Sequence, residues 1–427
     1  MNRKLSLEKI LDYIPSGAQT LSKNPSQFVI GVTPCVATKA KGAYFWGNDG
    51  KKYLDLKLAL GPMVFGYANN RIDRKVKEQI KHGTIYSLPS EHEYELAKLL
   101  KEVVPCADMS RFYLNGSDAT SGAIRLARHI TRRDHVAKCG YHGWQDWSIG
   151  NKVGRNNGVP EIIKSLTHEF NYNDIASLEK IFIDHPNQIA AVILEPAASE
   201  KPKDDFLQNV KALAKQNGAI LIFDEMITGF RWALGGAQEY FGVIPDLACF
   251  GKAISNGYPL SVICGKKEYM SRMDEVFVSM TFAGYSLGLV AALETIKMMR
   301  ASSGKVHKHM HALGDFLISG GNKIAEKYKA HVEFIGFGPH PVMKINVLDD
   351  HLNRVVKTFI CQEMNKSGIF FDSSMMIGFA HKKSEIIFVL KVLDVTLRKI
   401  QQVGELKNLE KLLEGKVAAP RTVRNIQ

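Results

Sequence analysis

The chain contains 427 residues, and its 56 lysines and arginines exceed its 43 aspartates and glutamates, which gives a formal net charge of +13. At roughly 100–200 residues per domain, this length predicts two or three domains. The apolar fraction of 45% and the charged fraction of 23% are ordinary for a globular protein, which excludes disordered, collagen-like and coiled-coil chains. The six cysteines are scattered and form no CxxC pair, so a disulfide framework is excluded and a reducing compartment is favoured.

The sequence also argues against a membrane or nucleic-acid protein. No apolar stretch approaches the ~18–20 residues that cross a bilayer, and the first residues lack the apolar core of a signal peptide. We therefore expect a cytoplasmic protein. Basic residues form only short groups, such as Arg132 with Arg133 and Lys382 with Lys383, which favours a solvated surface over a nucleic-acid footprint.

The first part of the chain predicts an arm followed by a β-hairpin. Glycine and proline punctuate the segment up to about residue 45, which is typical of an arm. Apolar runs at 42–46 and 52–56 flank the turn sequence Asn-Asp-Gly at 48–50, and this pattern predicts two antiparallel strands. From about 71 to 105 the spacing of the leucines predicts helix.

Between about residues 110 and 280 short apolar strands alternate with helix-compatible stretches. Strands are predicted at 111–114, 135–138, 189–194, 219–223 and 247–250. A helix is predicted at 206–217, and the tail from about 309 adds a strand at 341–347 and helices at 354–366 and 384–403. Alternating buried strands and helices are typical of a parallel sheet covered on both faces. Reactive residues of such sheets collect where the strands end.

Two of the predicted strands end in residues that can carry chemistry. The run 220–223 ends in Asp224 and Glu225, and the run 247–250 leads into Lys252. A lysine delivered from an apolar strand is partly desolvated, which favours the neutral amine that forms a Schiff base. An aspartate at the neighbouring strand end can face a cationic ring nitrogen, as pyridoxal 5′-phosphate requires.

A phosphate site is predicted at the helix start that follows the strand 111–114. Backbone amides and hydroxyls in the segment 115–120 can bind a dianion with help from the helix dipole. Tyr141 follows another strand end, where its ring can stack on a flat cofactor.

Each of these features also has a common structural use. A strand-end lysine is often a surface group, and Asp224 with Glu225 can be metal ligands or a helix cap. The residues 116–118 can form a plain N-cap, and Tyr141 and His142 can be core residues. Their joint order along one strand and helix pattern favours the cofactor.

The motifs resemble those of the class III (fold type I) pyridoxal-phosphate aminotransferases, and most closely the glutamate-1-semialdehyde 2,1-aminomutase branch. The resemblance is densest from 223 to 253. It extends over nearly the whole chain, because further family motifs occur in the expected order at 61–63, 115–120, 123–128, 141–143, 195–196 and 281–284.

The resemblance implies an α/β fold of the fold type I transferases. A large domain with a mostly parallel sheet is expected at 71–305. A smaller α+β domain is expected to combine an N-terminal arm and hairpin at 1–70 with a C-terminal part at 306–427. The family also implies a homodimer with a shared active site.

The resemblance further implies roles for residues around the cofactor ring. Lys252 forms a Schiff base and moves protons between the substrate carbon and the cofactor. Asp224 pairs with the ring nitrogen, Met226 packs behind the ring and Tyr141 stacks on it. Glu200 falls near the ring hydroxyl and is a third catalytic candidate.

The cofactor phosphate is expected in a cup formed by the helix start. The cup residues are Gly116, Ser117, Asp118 and Ala119, and His142 is a further cofactor-binding candidate. Thr281 matches a threonine that reaches the phosphate of the neighbouring subunit.

The sequence departs from the aminomutase at positions expected to bind substrate. In the arm, Thr20 and Lys23 stand where the aminomutase has a serine and an arginine. Lysine binds anions as a point charge and lacks the bidentate fork of arginine. Leu60 replaces an aromatic residue, and Met376 stands in place of a glutamate. These changes argue against glutamate-1-semialdehyde, whereas Lys23 and Arg155 suit an acidic or phosphorylated substrate.

We interpret the sequence as an aminotransferase that moves an amino group, through pyridoxamine phosphate, from an amino-acid donor to an aldehyde or ketone acceptor. The pattern Glu-Pro-x-x-x-Glu at 195–200 resembles a branch that builds cell-surface carbohydrate precursors, so a sugar-derived or phosphorylated acceptor is favoured. The first alternative is the aminomutase, an isomerase, with the segment 150–158 as its gating loop. The second is a pyridoxal-phosphate-binding protein without catalysis.

Overall fold

The computed structural model describes residues 5–152, 154–197 and 199–419. The chain forms two compact units. One runs from Asn70 to His307, and the other combines the residues up to Asn69 with those from Lys308 onward. Among the described helices, none is long and apolar enough to cross a membrane.

Thirteen strands and fourteen α-helices make up the described chain. The strands are β1 (Ala37–Lys41), β2 (Tyr44–Gly47), β3 (Lys52–Asp55), β4 (Met109–Tyr113), β5 (His135–Cys139), β6 (Thr167–Glu169), β7 (Ile189–Leu194), β8 (Ile220–Asp224), β9 (Leu247–Phe250), β10 (Ser261–Gly265), β11 (Val332–Phe337), β12 (His340–Ile345) and β13 (Ile369–Phe370). The helices are α1 (Leu7–Leu11), α2 (Asn70–Ile80), α3 (Glu91–Val103), α4 (Gly116–Thr131), α5 (Asp146–Ile149), α6 (Glu161–Lys164), α7 (Ile175–Asp184), α8 (Phe206–Gln216), α9 (Ala237–Phe241), α10 (Lys267–Met270), α11 (Ser286–Ala301), α12 (Lys305–Lys327), α13 (Asp350–Lys366) and α14 (Lys383–Val403).

The central unit is built on a seven-stranded sheet with the order β4-β10-β9-β8-β7-β5-β6. The strands β9, β8, β7, β5 and β6 are parallel, and β10 runs antiparallel to both β4 and β9. Every residue of β7 and β8 is buried, which explains their continuous apolar sequences, because both faces of the sheet are covered. The predicted α/β fold with a mostly parallel sheet is confirmed.

The structure corrects the helix predicted from 71 to 105. The helices α2 and α3 are separated by residues 81–90. Ser90 begins α3 with a capping box, in which its amide donates to the Glu93 carboxylate at 2.8 Å. Pro89 directly precedes this cap, and the residue before a proline is disfavoured in helical geometry. The leucine spacing therefore describes α3 but not the whole stretch.

The terminal unit draws on both ends of the chain. Its hairpin of β2 and β3 is antiparallel, as predicted, and β13 adds to β3 in parallel, with Ile369 opposite Leu54. Leu54 and Ile369 belong to one buried apolar cluster with Phe359 and Ile377. Pairing in the sheet and in the core thus binds the N-terminal hairpin to C-terminal elements.

A strained turn follows β3 in the same unit. Leu58, Ala59 and Leu60 all have positive φ angles, of 45°, 55° and 74°, a conformation that is unfavourable for residues with a Cβ atom. The buried Asp55 carboxylate accepts from the amides of Lys57 and Leu58 at 2.7 and 3.0 Å, and these bonds hold the turn. Burial raises the pKa of Asp55.

Glu225 follows β8 and anchors the start of α9. Its buried carboxylate accepts from the amides of Ala237 and Gln238 at 2.8 and 2.9 Å and from the Thr228 hydroxyl. The sequence allowed Glu225 to be a metal ligand or a helix cap, and in the structure it caps a helix. It lies at the helix end where the dipole favours negative charge.

We expect Glu225→Ala to lower the free energy of unfolding by at least about 2 kcal/mol, because two buried amides lose their acceptor. Denaturant titration measures the change. The matched control is Glu161→Ala, whose side chain is 86% exposed and pairs with Lys164. It should alter stability by less than about 0.5 kcal/mol. Equal stability of the two variants would contradict the anchoring role.

Candidate active site

Four strand ends converge at one edge of the central sheet. The strands β5, β8 and β9 are parallel, and β4 runs in the same direction as β9 because both are antiparallel to β10. Gly140 and Gly251 directly follow β5 and β9, Asp224 is the last residue of β8, and Asn115 lies two residues beyond the end of β4. We call this the carboxyl edge. Parallel sheets place their reactive residues in this position.

A buried ion pair or shared-proton pair lies at the carboxyl edge between Asp224 and His142. Their side chains are 3% and 0% exposed, and His142 Nδ1 lies 2.8 Å from Asp224 Oδ2. The other ring nitrogen, Nε2, lies 3.1 Å from the carbonyl oxygen of Cys139. A carbonyl oxygen can only accept a hydrogen bond, so Nε2 carries a proton. The hydrogen between Nδ1 and Oδ2 is then shared by the two side chains.

The remaining carboxylate oxygen of Asp224 fixes its orientation. Oδ1 accepts from the amide of Met226 at 3.0 Å. With both oxygens engaged inside an apolar sheet, the carboxylate has one defined position. A buried carboxylate in such a position can hold a positively charged ring nitrogen.

The start of α4 offers an anion site beside this pair. The first amides of a helix have no acceptor within the helix, and the dipole favours negative charge there. The N-cap residue Asn115 makes no capping bond, because its side chain donates to Asp118 at 3.0 Å. Thr120 donates to the His142 carbonyl oxygen at 2.6 Å, which connects the helix start to the loop of the buried pair.

Three glycines keep the backbone segments close together at this edge. A Cβ atom on Gly116 or Gly251 would lie 2.6 or 2.7 Å from Met226 Sδ, and one on Gly143 would collide with Ser117 Cβ. Gly143 also has a φ of +119°, which favours glycine. Only glycine therefore allows Met226, the helix start and the loop at 140–143 to pack as they do.

Lys252 directly follows Gly251 after β9 and is half-buried. Its φ angle is +46°, a left-handed conformation that costs roughly 1 kcal/mol or more for a residue with a side chain. Such strain persists where the surrounding structure imposes it, often at functional sites. The strand end thus presents the amine at the same edge as Asp224.

A lysine amine, a buried carboxylate and a helix N-terminus form the donor set that pyridoxal phosphate needs. They match its aldehyde, its ring nitrogen and its phosphate respectively. Two buried thiols also lie in strands that end at this edge, Cys139 in β5 and Cys249 in β9. Burial raises the pKa of Cys139 to about 12 and raises the pKa of Cys249 well above its usual value, so neither thiol is an activated nucleophile.

Sequence reasoning counted one further residue at this edge among the family motifs but gave it no role. Glu195 follows β7, and its Oε1 accepts from the amide of Tyr141 at 3.2 Å. A Cβ atom on Gly140 would lie 3.0 Å from the same oxygen. Glu195 lies directly after a buried strand, and this position is the signal from which a role could have been predicted. The contact with its carboxylate orients the backbone of Tyr141.

Three of the remaining predicted residues lie in turns and loops. Glu200 is half-exposed and lies 3.8 Å from Lys203, and Thr281 is exposed in a turn before α11. Arg155 is half-buried, in a loop whose residue 153 lies outside the described residues. The roles of these three residues stay predictions.

Thr20 and Lys23 belong to the terminal unit. They line a cavity of about 580 Å³ there, together with the Lys57 side chain and the apolar rings of Phe28 and Phe370. Lys57 forms a buried ion pair with Asp372 at this place. The two arm residues are thus brought together in one cavity with a further basic residue.

Comparison with known proteins defines the class of enzyme. Among solved structures, the PLP internal aldimine form of the Sphingopyxis sp. MTA144 FumI protein superposes with a TM-score of 0.86 at 25% identity, covering 96% of this chain and 97% of that one. The fold is that of a fold type I pyridoxal-phosphate enzyme. The family model for class III aminotransferases matches residues 29–376. The chain belongs to this family, and its cofactor is pyridoxal 5′-phosphate.

Two curated relatives carry different activities. The 3-aminobutyryl-CoA aminotransferase of Cloacimonas acidaminovorans (strain Evry) is 34% identical and covers 94% of this chain and 98% of its own length. A glutamate-1-semialdehyde 2,1-aminomutase of Methanococcus maripaludis (strain C7 / ATCC BAA-1331) is 38% identical over 69% of this chain and 72% of its own. The relatives of this chain therefore include both transaminases and aminomutases.

We expect Gly143→Ala to weaken cofactor binding at least about tenfold, or ~1.4 kcal/mol, because the new methyl group displaces Ser117 and the start of α4. Equilibrium titration of the cofactor-free protein with pyridoxal phosphate measures the affinity. Gly242→Ala is the matched control, since it also has a positive φ, of +67°, but nothing lies within 4 Å of its Cβ position. If both variants bind the cofactor equally, Gly143 does not shape the site.

Proposed function

We propose that the protein is an aminotransferase that moves an amino group from an amino-acid donor to an aldehyde or ketone acceptor. The observation that carries this proposal is the buried Asp224–His142 pair at the same sheet edge as Lys252. Pyridoxal phosphate supplies an aldehyde that combines with amines and a protonated ring that withdraws electrons from the substrate carbon.

The chain's own residues divide the remaining work. Asp224 keeps a proton on the ring nitrogen, and His142 orients and stabilises that carboxylate. Lys252 holds the cofactor when substrate is absent and then moves a proton at the substrate carbon. The start of α4, with Ser117, binds the phosphate, while Met226 and Tyr141 cover the two ring faces.

The substrate preference follows from the departures in the arm. Thr20 and Lys23 line the cavity of the terminal unit, and the positive charge of Lys23 suits a negatively charged acceptor. A phosphorylated, sugar-derived aldehyde and a 3-oxoacyl thioester of coenzyme A both carry such charge. The second acceptor is suggested by the relative named 3-aminobutyryl-CoA aminotransferase, which aligns over nearly its whole length.

Two further parts of the proposal come from the family. A homodimer would let Thr281 reach the phosphate of the neighbouring subunit, and the exposed position of Thr281 and Phe282 is compatible with this. A cytoplasmic location agrees with reduced cysteines, since the six cysteines of the described chain are free.

The second candidate is the aminomutase, which the methanococcal relatives favour by identity. An aminomutase returns the amino group to the molecule that donated it and needs no separate acceptor. The residues at the carboxyl edge serve both reactions, so the difference lies in which carbonyl compounds are accepted.

We expect borohydride reduction of the holoenzyme to attach the cofactor to Lys252, because its amine is the one presented at the carboxyl edge. Peptide mass mapping identifies the attachment site. Lys252→Ala should lose this attachment and slow the reaction with an amino donor by roughly 10²–10⁴-fold, as loss of an acid–base group does. The exposed Lys267→Ala is the matched control and should behave like the wild type. Attachment to another lysine would overturn the assignment.

We expect an amino donor alone to convert the bound cofactor once per chain and then stop. Sustained turnover should begin only when a carbonyl acceptor is added, because the amino group needs a second molecule. Absorbance of the cofactor and chromatography of the products measure both steps. Sustained turnover of glutamate-1-semialdehyde alone would instead identify an aminomutase, and no reaction with a broad panel of donors would identify a non-catalytic protein.

A further inference from the structure

Three histidines meet at the end of the central sheet that lies opposite the carboxyl edge. His135 begins β5, His168 lies in the edge strand β6, and His185 caps the end of α7. His168 is opposite Ala137 in the register of the two strands. Side chains two residues apart in a strand share a face, so His135 and His168 project from the same side of the sheet.

The three rings are close enough to share one ion. His135 Nδ1 lies 2.8 Å from His168 Nε2, and the ring centroids of His168 and His185 are 4.0 Å apart. One nitrogen of each ring lies within 4.8 Å of the corresponding nitrogens of the other two. All three side chains are half-buried, so the cluster is held by its neighbours but remains open to solvent.

The chemical state of the rings suits a metal ligand. Burial lowers the pKa of His168 to about 4, and burial together with the nearby His185 lowers that of His135. These two imidazoles are therefore neutral at pH 7, and each has a lone pair to offer. Asp134 and Asp184 attract positive charge to the cluster, and Arg128 opposes them at His135.

We propose that His135, His168 and His185 form a binding site for a divalent transition-metal ion, and that this ion is Zn²⁺. Zinc takes imidazole nitrogens at about 2.0–2.1 Å in a tetrahedron, which places the nitrogens roughly 3.3–3.4 Å apart. The 2.8 Å pair opens slightly and the wider contacts within 4.8 Å close to reach this spacing. Water fills the fourth position.

The proposed zinc site is separate from the cofactor. β5 has five residues, so a rise of about 3.3 Å per residue puts roughly 13 Å between His135 and Cys139 at the carboxyl edge. The three ligands come from β5, β6 and the end of α7. Zinc therefore joins the short edge strand and a helix end to the body of the sheet, and it stabilises the native state over the unfolded one.

The test is zinc titration of the chelator-treated holoenzyme by calorimetry, together with thermal unfolding. We expect one zinc ion per chain and a higher melting temperature. His168→Gln and His185→Gln should each weaken binding by more than about 100-fold, since even loss of an outer partner of a metal ligand costs 10–100-fold. The matched control is His351→Gln, an exposed histidine that pairs with Glu410 in the terminal unit, and it should bind zinc like the wild type.

Two results would overturn the proposal. One is the absence of zinc binding by the wild type, and the other is wild-type affinity in both histidine variants. If the variants fail to fold, the wild type still decides the question. Zinc must then protect His135, His168 and His185 from acylation by diethyl pyrocarbonate, as mapped by peptide mass, and equal modification with and without zinc would refute the site.

Discussion

The structure of the site depends on a single buried contact, between the Asp224 carboxylate and the His142 ring. A carboxylate inside an apolar sheet is costly unless a partner compensates it. His142 provides that partner, and its other nitrogen is fixed by the carbonyl of Cys139 at the end of β5. The contact thus connects the segment after β5 to the end of β8, and under the proposed function it fixes the carboxylate that pairs with the cofactor's ring nitrogen. Loss of His142 would leave Oδ2 of this buried carboxylate without its partner, with only the Met226 amide still bonded to Oδ1.

In the central sheet, the buried strand interiors stabilise the fold, and the strand ends carry the groups that can do chemistry. The interiors of β7 and β8 are wholly buried and apolar, so the polar groups associated with these two strands occur only where the strands end. At the carboxyl edge these groups are the strained Lys252, the buried pair and the start of α4. At the opposite end, the ring nitrogens of the three histidines lie close together. Glu225, one residue beyond Asp224, turns away from this chemistry to cap α9.

Features that depend on local residue patterns could be predicted from the sequence. The strands β5, β7, β8 and β9 follow from short apolar runs, and the positions of Asp224 and Lys252 follow from where those runs end. β6 escapes prediction because Thr-His-Glu is short and polar, as an edge strand can be. The partners of His142 and Glu195, and the meeting of His135 with His168 and His185, depend on contacts between distant segments. No local pattern encodes these contacts, and the family resemblance implied residue roles around the cofactor but not these contacts.

The central claim, that Asp224 keeps the ring nitrogen protonated, is tested most directly by the rate at which Asp224→Asn holoenzyme reacts with an amino donor in a single turnover. The account predicts a rate lower by roughly 10²–10³-fold or more, as for loss of a preorganised charge contact. It also predicts partial recovery with a cofactor analogue methylated at the ring nitrogen, which is permanently positive. A wild-type rate with the ordinary cofactor would contradict the claim.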